Sequence, residues 1–541
     1  MDIPPKDTGG TPPPPRSPNK RHDPLDQREP RTPPPHVLQQ VDGRVLDPST
    51  ALVVKGVRPR STAYVGPRLT VSRQGDVGRQ LDQLRRVADD LGWELSSPGA
   101  DADVPRHRSR LGIVRVELDV TDQRATLAPD GWVLLQQARA RYGVEAMHGV
   151  GLDHVVTVRG IETAPFHESD PFHESDPFHE SDPYHESDPM GQGYSSAIAT
   201  YGRPGSGGRQ PVAYVGPRPT RLPDGEFVAH RRPVVAVLDT GCGQHPWLDG
   251  VVRTDVTLGG APIGYTDDRT DPERWPDQVG PLDGGIDDLA GHGTFVCGLV
   301  HQACPDADIL AWRIVGSGGQ IVESDLVEAL ADIAELARRH RDGEEGGHPV
   351  DVLNLSMGYY HETPEDSLFD PTMYSILQLL GECGTVVVCS AGNDATARPM
   401  FPAAFAPWLD GAGPVATPMD AVPIASVGAL NPNGTDALFS NTGPWVRAHA
   451  PGASVVSTVP PFNGGLQPIA RTEAYQRVRE SVDPDDYSGE FAVWSGTSFS
   501  APLVAGRAAA HLIGAQPPPG SVEDCAVAVA RGREVVTELT N

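Results

Sequence analysis

The sequence predicts an α/β protein, a mostly parallel sheet flanked by helices, with a small N-terminal α+β domain and disordered segments. Three observations predict it. From about Pro233 to Gly514, short apolar runs alternate with helical patterns, as parallel strands covered on both faces require. Upstream, a stretch of about 100 residues mixes alternating strand patterns with two helical ones. The 59 Gly and 55 Pro among 541 residues are too few to make the whole chain low-complexity, so their excess is local.

In chain order, residues 1–36 are one-third proline with scattered charge, and such a segment cannot bury enough apolar surface to offset chain entropy. Residues 1–50 are therefore expected as a disordered tail. In the domain expected at 51–160, Ala63-Tyr64-Val65 reads as a strand, and Leu81, Leu84, Val87 and Leu91 recur at helical spacing. Leu111 to Leu118 alternates as a half-buried strand, Gly131 to Tyr142 reads as a second helix, and His154 to Val158 as a closing strand. The linker expected at 161–230 carries a hexapeptide repeat, Pro-Phe-His-Glu-Ser-Asp from Pro165, Pro171 and Pro177, then from Pro183 with Tyr184. Proline at every sixth residue excludes helix and central strand, so the repeat reads as an extended acidic spacer or recognition tag rather than a metal site. Ala63-Tyr64-Val65-Gly66-Pro67-Arg68 recurs unchanged at 213–218, and nothing in the sequence explains it.

In the domain expected at 231–515, the apolar runs Val234 to Leu238, Ile309 to Val315, Val352 to Leu355, Thr385 to Cys389 and Val422 to Val427 suit buried parallel strands. Ser324 to Arg339 reads as a helix, with acids early, arginines late and Leu326, Leu330, Ile333 and Leu336 on one stripe. Residues 516–541 form a C-terminal extension. The net charge of −28 argues against a nucleic-acid partner or a charge-held membrane contact. No run is long and apolar enough for a membrane span, and the opening residues lack a secretory apolar stretch, so the expected location is cytoplasmic. Six dilute cysteines without a CxxC pair read as buried free thiols.

Four polar elements interrupt the apolar pattern. Asp239 ends the first strand of the series, at the sheet edge where parallel folds place ligands. His292 stands between Gly291 and Gly293 at a helix start, and Ser498 follows Gly496-Thr497 and opens an Ala-rich helix. Asn393 follows Ser390-Ala391-Gly392 past another strand. Each alone has a bland reading as turn or cap chemistry. Together they supply a carboxylate, an imidazole, a hydroxyl and an oxyanion donor, the parts that nucleophilic acyl transfer needs.

At these residues the sequence resembles the subtilisin-like serine proteases. The resemblance runs from about Pro233 to Gly514 through Asp239-Thr240-Gly241, Gly291-His292-Gly293-Thr294, Leu355-Ser356-Met357-Gly358, Ser390 to Asn393, Phe439-Ser440-Asn441, Ala450-Pro451-Gly452 and the motif from Gly496 to Gly506. It implies a serine endopeptidase in which Ser498 attacks, His292 shuttles the proton, Asp239 orients the imidazole and Asn393 donates to the oxyanion. Substrate would lie along Ser356, Met357 and Gly358, with Ser390, Ala391 and Gly392 forming the far pocket wall. Cys242 and Cys297 depart from the family's usual aliphatic and small residues but still pack. The family needs no cofactor. It often binds Ca²⁺, for which Asp267, Asp268 and Asp283 to Asp288 offer acid without the spacing of a calcium loop, so no metal ligand is assigned. The N-terminal domain occupies the place of an inhibitory prodomain, implying a zymogen cut in or near the linker. The expected partners are a protein or peptide substrate, with the acid near His292 predicting a taste for basic side chains. The competing readings are an idle peptide-binding scaffold and an interaction protein carrying a protease-like domain. The insertion at about 460–490 reads as a solvated loop.

Overall fold

The computed structural model describes residues 29–98, 105–121, 127–158, 209–227, 231–280, 282–363, 371–518 and 523–540. The hexapeptide repeats and residues 1–28 lie outside them. The N-terminal part runs α1 (Pro35–Gln39), β1 (Gly43–Val45), β2 (Ala63–Ser72), α2 (Val77–Leu91), β3 (Trp93–Ser96), α3 (Arg106–Leu111), β4 (Ile113–Val120), α4 (Gly131–Tyr142) and β5 (Val150–Thr157). Its strands pair antiparallel in the order β5-β2-β4-β3, with β1 also on β2. Both long helices start on an aspartate cap: Asp76 accepts from the Arg79 N–H and Asp130 from the Val133 N–H, each at 3.1 Å. Leu69, Val71, Leu84, Trp93, Val116, Leu134 and Leu135 make the core between sheet and helices.

Residues 29–50 depart from the expected tail. Arg44 pairs with Asp130 at 2.5 Å and β1 adds to β2, so this segment completes the N-terminal sheet. The strand β3 was not signalled, because four residues are too few to show a period.

The second part contains β6 (Gln210–Pro211), β7 (Val234–Asp239), β8 (Val252–Arg253), α5 (His292–Ala303), β9 (Asp308–Arg313), β10 (Gln320–Val322), α6 (Glu323–Arg341), β11 (Val352–Leu355), α7 (Thr372–Glu382), β12 (Val386–Ser390), β13 (Ala425–Leu430), β14 (Ala448–Pro451), β15 (Val455–Thr458), β16 (Arg471–Ala474), β17 (Arg477–Glu480), β18 (Phe491–Trp494), α8 (Thr497–Leu512) and α9 (Cys525–Thr540). Seven strands form one parallel sheet in the order β14-β13-β12-β11-β7-β9-β8. Its central strands β7, β11 and β12 are buried throughout, as the continuous apolar runs require. Helices α5 and α8 pack on each other, α8 also on β11 to β13, and α6 packs on α7.

The strand expected from Val422 begins at Ala425, since Val422 donates its N–H to Gly381 instead. The insertion at about 460–490 is more than a loop: β16 and β17 form an exposed two-stranded hairpin. Of the cysteines, Cys297, Cys304 and Cys389 are buried, whereas Cys242 and Cys383 are half-buried and Cys525 is exposed.

Candidate active site

Register brings three strand ends to one level. Leu238 pairs with Leu355, and Leu355 with Cys389, so Asp239, Ser356 and Ser390 follow one another along the carboxyl edge of the sheet. Helices α5 and α8 begin over that edge, His292 at the first residue of α5 and Ser498 at the second of α8. Their opening N–H groups have no partner within the helix and carry its positive dipole end.

Asp239 and His292 are both wholly buried, and His292 Nδ1 lies 2.7 Å from Asp239 Oδ1. The same carboxylate oxygen accepts the Thr240 N–H at 2.8 Å. His292 Nε2 is buried with no hydrogen-bond partner among the described residues. The imidazole is wedged between Trp494, edge-on at 5.5 Å, and Phe499, tilted at 5.2 Å, so the residue after Ser498 packs on the ring. A side chain at Gly293 would collide with the Gly241 carbonyl, which is why glycine must follow the histidine.

Ser498 and Ser356 are tied twice. The Ser498 hydroxyl donates to the Ser356 carbonyl at 3.1 Å, and the Ser356 hydroxyl donates to the Ser498 carbonyl at 2.9 Å. Pro502 explains the second bond. It sits four residues on in α8 with no N–H to give, so the Ser498 carbonyl takes a donor from the neighbouring strand instead. The Asn393 amide oxygen accepts both the Thr497 N–H and its hydroxyl at 2.8 Å, leaving NH₂ as the donor end of that amide. Asn441 shapes the same turn: its oxygen accepts from Asp394 N–H at 3.0 Å and its nitrogen donates to the Ala391 carbonyl at 2.8 Å. Gly392 has φ +104°, which glycine alone adopts without strain.

Thr157, Ser356, Met357, Ser390, Gly392, Asn393, Asp394, Thr497 and Ser498 surround one small cavity. The predicted wall residue Ala391 is not among its lining residues; its N–H bonds to Val427 of β13. Gly358 is engaged already. It exchanges both backbone hydrogen bonds with Thr157, at 3.0 and 3.1 Å, and the Val158 N–H donates to the Gly319 carbonyl at 2.9 Å. On the other side β10 pairs antiparallel with β5, Ile321 opposite Val156. The end of β5 is thus a strand inserted between the 319–322 and 356–358 backbones.

Several carboxylates of the acidic loops considered for Ca²⁺ have partners within the protein. Asp267 accepts the Arg269 N–H, Asp283 the Gly285 N–H, and Asp287 those of Gln278 and Val279, while Asp268 pairs with Arg274. Among the described residues, His154, His361 and Glu362 bring ligand-type atoms within 4.8 Å of one another. The His154 nitrogens are already spent, on Glu323 at 2.6 Å and Glu362 at 2.8 Å.

Sequence reasoning missed the residues that hold these groups, among them Thr497 on Asn393, Glu273 behind Asp239, and Arg209. The Arg209 guanidinium donates to the carbonyls of Ile286, Asp287, Asp288 and Ala290 ahead of His292 and lies 4.9 Å from the Trp494 ring centroid. Each joins segments distant in the chain, and no spacing rule signals such a contact.

The profile of the subtilase family, Peptidase_S8, matches residues 230–528. The chain belongs to the subtilase family. It is 26% identical over 286 residues to a thermophilic serine proteinase of Bacillus sp. (strain AK1), covering 51% of each chain. It is 26% identical to an intracellular serine protease of Paenibacillus polymyxa, covering 51% of this chain and 65% of the relative. The match thus spans about half to two-thirds of these relatives. Among solved structures, fervidolysin from Fervidobacterium pennivorans, a keratinolytic enzyme related to subtilisin, aligns with 85% of this chain and 56% of its own at 18% identity and a TM-score of 0.42. Among the described residues no helix is long and apolar enough to cross a membrane.

Proposed function

We propose that the chain is a serine endopeptidase made as a zymogen, whose N-terminal sheet is an intramolecular inhibitor seated in the substrate cleft. The observation that carries this reading is the strand insertion of Thr157 and Val158 between Gly358 and Gly319. An extended peptide bound there gains main-chain hydrogen bonds from both edges.

In this reading Ser498 attacks the scissile carbonyl while His292 takes its proton through Nε2 and returns it to the leaving amine. Asp239, on Nδ1 at 2.7 Å, fixes the tautomer and stabilises the imidazolium. The Asn393 amide and the Ser498 N–H at the helix start donate to the tetrahedral oxyanion. Water then repeats the sequence on the acyl-enzyme.

From the register we also infer the first bond to be cut. Thr157 faces Gly358, and a peptide extending this antiparallel register would meet Ser356 two residues on; the Ser356 carbonyl lies 3.1 Å from the Ser498 hydroxyl. Residue 159 lies outside the described residues; the sequence there reads Arg159-Gly160, at the start of the linker. Wild-type chain is expected to yield a mature fragment beginning at Gly160, and Ser498→Ala to remain full length. Mass spectrometry of the N-terminus checks it. Intact wild-type chain, or a cut shared by the Ser498→Ala protein, overturns self-processing. A fluorophosphonate that labels wild type but not Ser498→Ala separates the enzyme from an idle scaffold.

A further inference from the structure

Glu273 is a buried acid with no cation among the described residues, in a loop that carries no family motif. It is 3% exposed. Its Oε1 accepts the Thr240 hydroxyl at 2.5 Å and the Gly293 N–H at 3.1 Å, and its Oε2 accepts the Thr294 hydroxyl at 2.5 Å. Thr240 follows Asp239, and Gly293 and Thr294 follow His292. The network closes on itself: the Gly293 N–H also donates to Thr240 Oγ1 at 2.7 Å, and the Thr294 hydroxyl accepts the Gly243 N–H at 2.7 Å. One carboxylate therefore joins the loop after β7 to the first turn of α5, the two segments that carry the Asp239–His292 hydrogen bond.

Burying a charge this way is costly unless something is gained. The titratable groups facing Glu273 are Asp239 from β7, Asp271 from its own loop and Cys297 from α5. Arg313 of β9 lies near, but its guanidinium is committed to Tyr265, Asp267 and Thr270. We propose that Glu273 is a positioning residue for the Asp239–His292 couple, holding the two segments in register and adding negative charge behind the imidazolium. This rests on the protease reading above.

The proton count gives the couple a second state. Thr240 has one hydroxyl proton. With Glu273 ionised, that proton goes to Glu273. With Glu273 protonated, its O–H donates to Thr240, whose proton turns to Asp239 Oδ1, 3.2 Å away. Asp239 then accepts one more hydrogen bond and holds the imidazolium less strongly. Burial pushes the Glu273 carboxyl up to about 7 against the opposing pull of its threonine hydrogen bonds.

The test is kinetic, on the processed full enzyme with a tetrapeptide p-nitroanilide ending in arginine. For Glu273→Gln, kcat is expected to fall on the order of tenfold with KM unchanged. The acid limb of the kcat/KM profile should move to lower pH, because removing an anion lowers the imidazolium pKa. Glu273→Asp keeps the charge with a shorter reach, so it should lose kcat while its acid limb stays at the wild-type position; it also serves if Glu273→Gln does not fold. Wild-type kcat in either variant overturns the proposal. So does a fall in Glu273→Gln with an unmoved limb, which assigns Glu273 to packing alone. A wild-type chain inert to fluorophosphonate would instead sink the protease reading beneath it.

Discussion

The N-terminal sheet and the large parallel sheet are held together by different means, and they meet on a third kind of surface. The parallel sheet is buried on its central strands mainly by apolar side chains, with Asn354 within β11 and Asp239 and Ser390 at strand ends. The N-terminal sheet packs one apolar face on two helices. Where the two meet, a few apolar side chains, Ile113, Val156 and Val158, join the large core, but charged groups dominate. His154 sits between Glu323 and Glu362, and Asp153 accepts the N–H and hydroxyl of Ser324, both at 2.9 Å. Arg108 pairs with Asp332 and Glu328, and Arg115 with Asp325. Water can take back charged groups when the surfaces part, whereas a parted apolar core would expose a sticky patch. In the proposed zymogen the two cores are retained and the interface is the surface that separates.

Changes in the large unit that spare the interface should abolish chemistry and leave docking intact. Ser498→Ala is expected to lower peptide hydrolysis by on the order of 10⁵–10⁶ while the N-terminal unit still docks. Asn393→Ala should cost on the order of 10²–10³ in kcat, measured on a peptide amide, with the acid limb of its pH profile unmoved.

Changes in the interface should do the reverse. His154→Gln leaves two carboxylates buried without their cation, at a cost of about 3–5 kcal/mol. Added back in trans, the N-terminal fragment carrying it should inhibit the processed enzyme on the order of 10²–10³-fold less tightly than the wild-type fragment. The pH dependence has a definite sign. Desolvation pulls the His154 pKa down, but Glu323 and Glu362 outweigh it and raise it to about 10. Its contribution to docking is complete below the free imidazole value of about 6.5 and is lost as pH rises through about 10. Inhibition should weaken between pH 7 and 11 for wild type and lack this component in His154→Gln.

The smallest effect expected is on selectivity. Asp394 lines the cavity beside Ser498, and its Oδ1 holds the Arg31 guanidinium at 3.0 Å, a contact that shows the carboxylate taking an arginine. Asp394→Asn should reduce the preference for an arginine over a phenylalanine substrate by about tenfold, in kcat/KM ratios.

Five strands of the parallel sheet, three of the helices on it and the four polar residues were legible in the sequence, because each leaves a local mark: an apolar run at a strand, glycines beside a histidine, Gly-Thr-Ser at a helix start. The roles of Glu273 and His154 left none. Their partners lie from 20 to 208 residues away, and only folding brings them together. The repeated hexapeptide makes the limit plain. Ala63 to Arg68 lies in β2, with Tyr64 and Val65 buried and the Tyr64 hydroxyl on Asp130 at 3.0 Å. Its identical copy at 213–218 forms no strand: Tyr214 stacks on Phe491 at 4.8 Å and Val215 is 96% exposed. Local pattern dictates which backbone states a segment can adopt and which chemistry its side chains offer. The neighbours across the sheet, supplied by distant parts of the chain, decide which state is taken, since strand hydrogen bonds and burial exist only between segments.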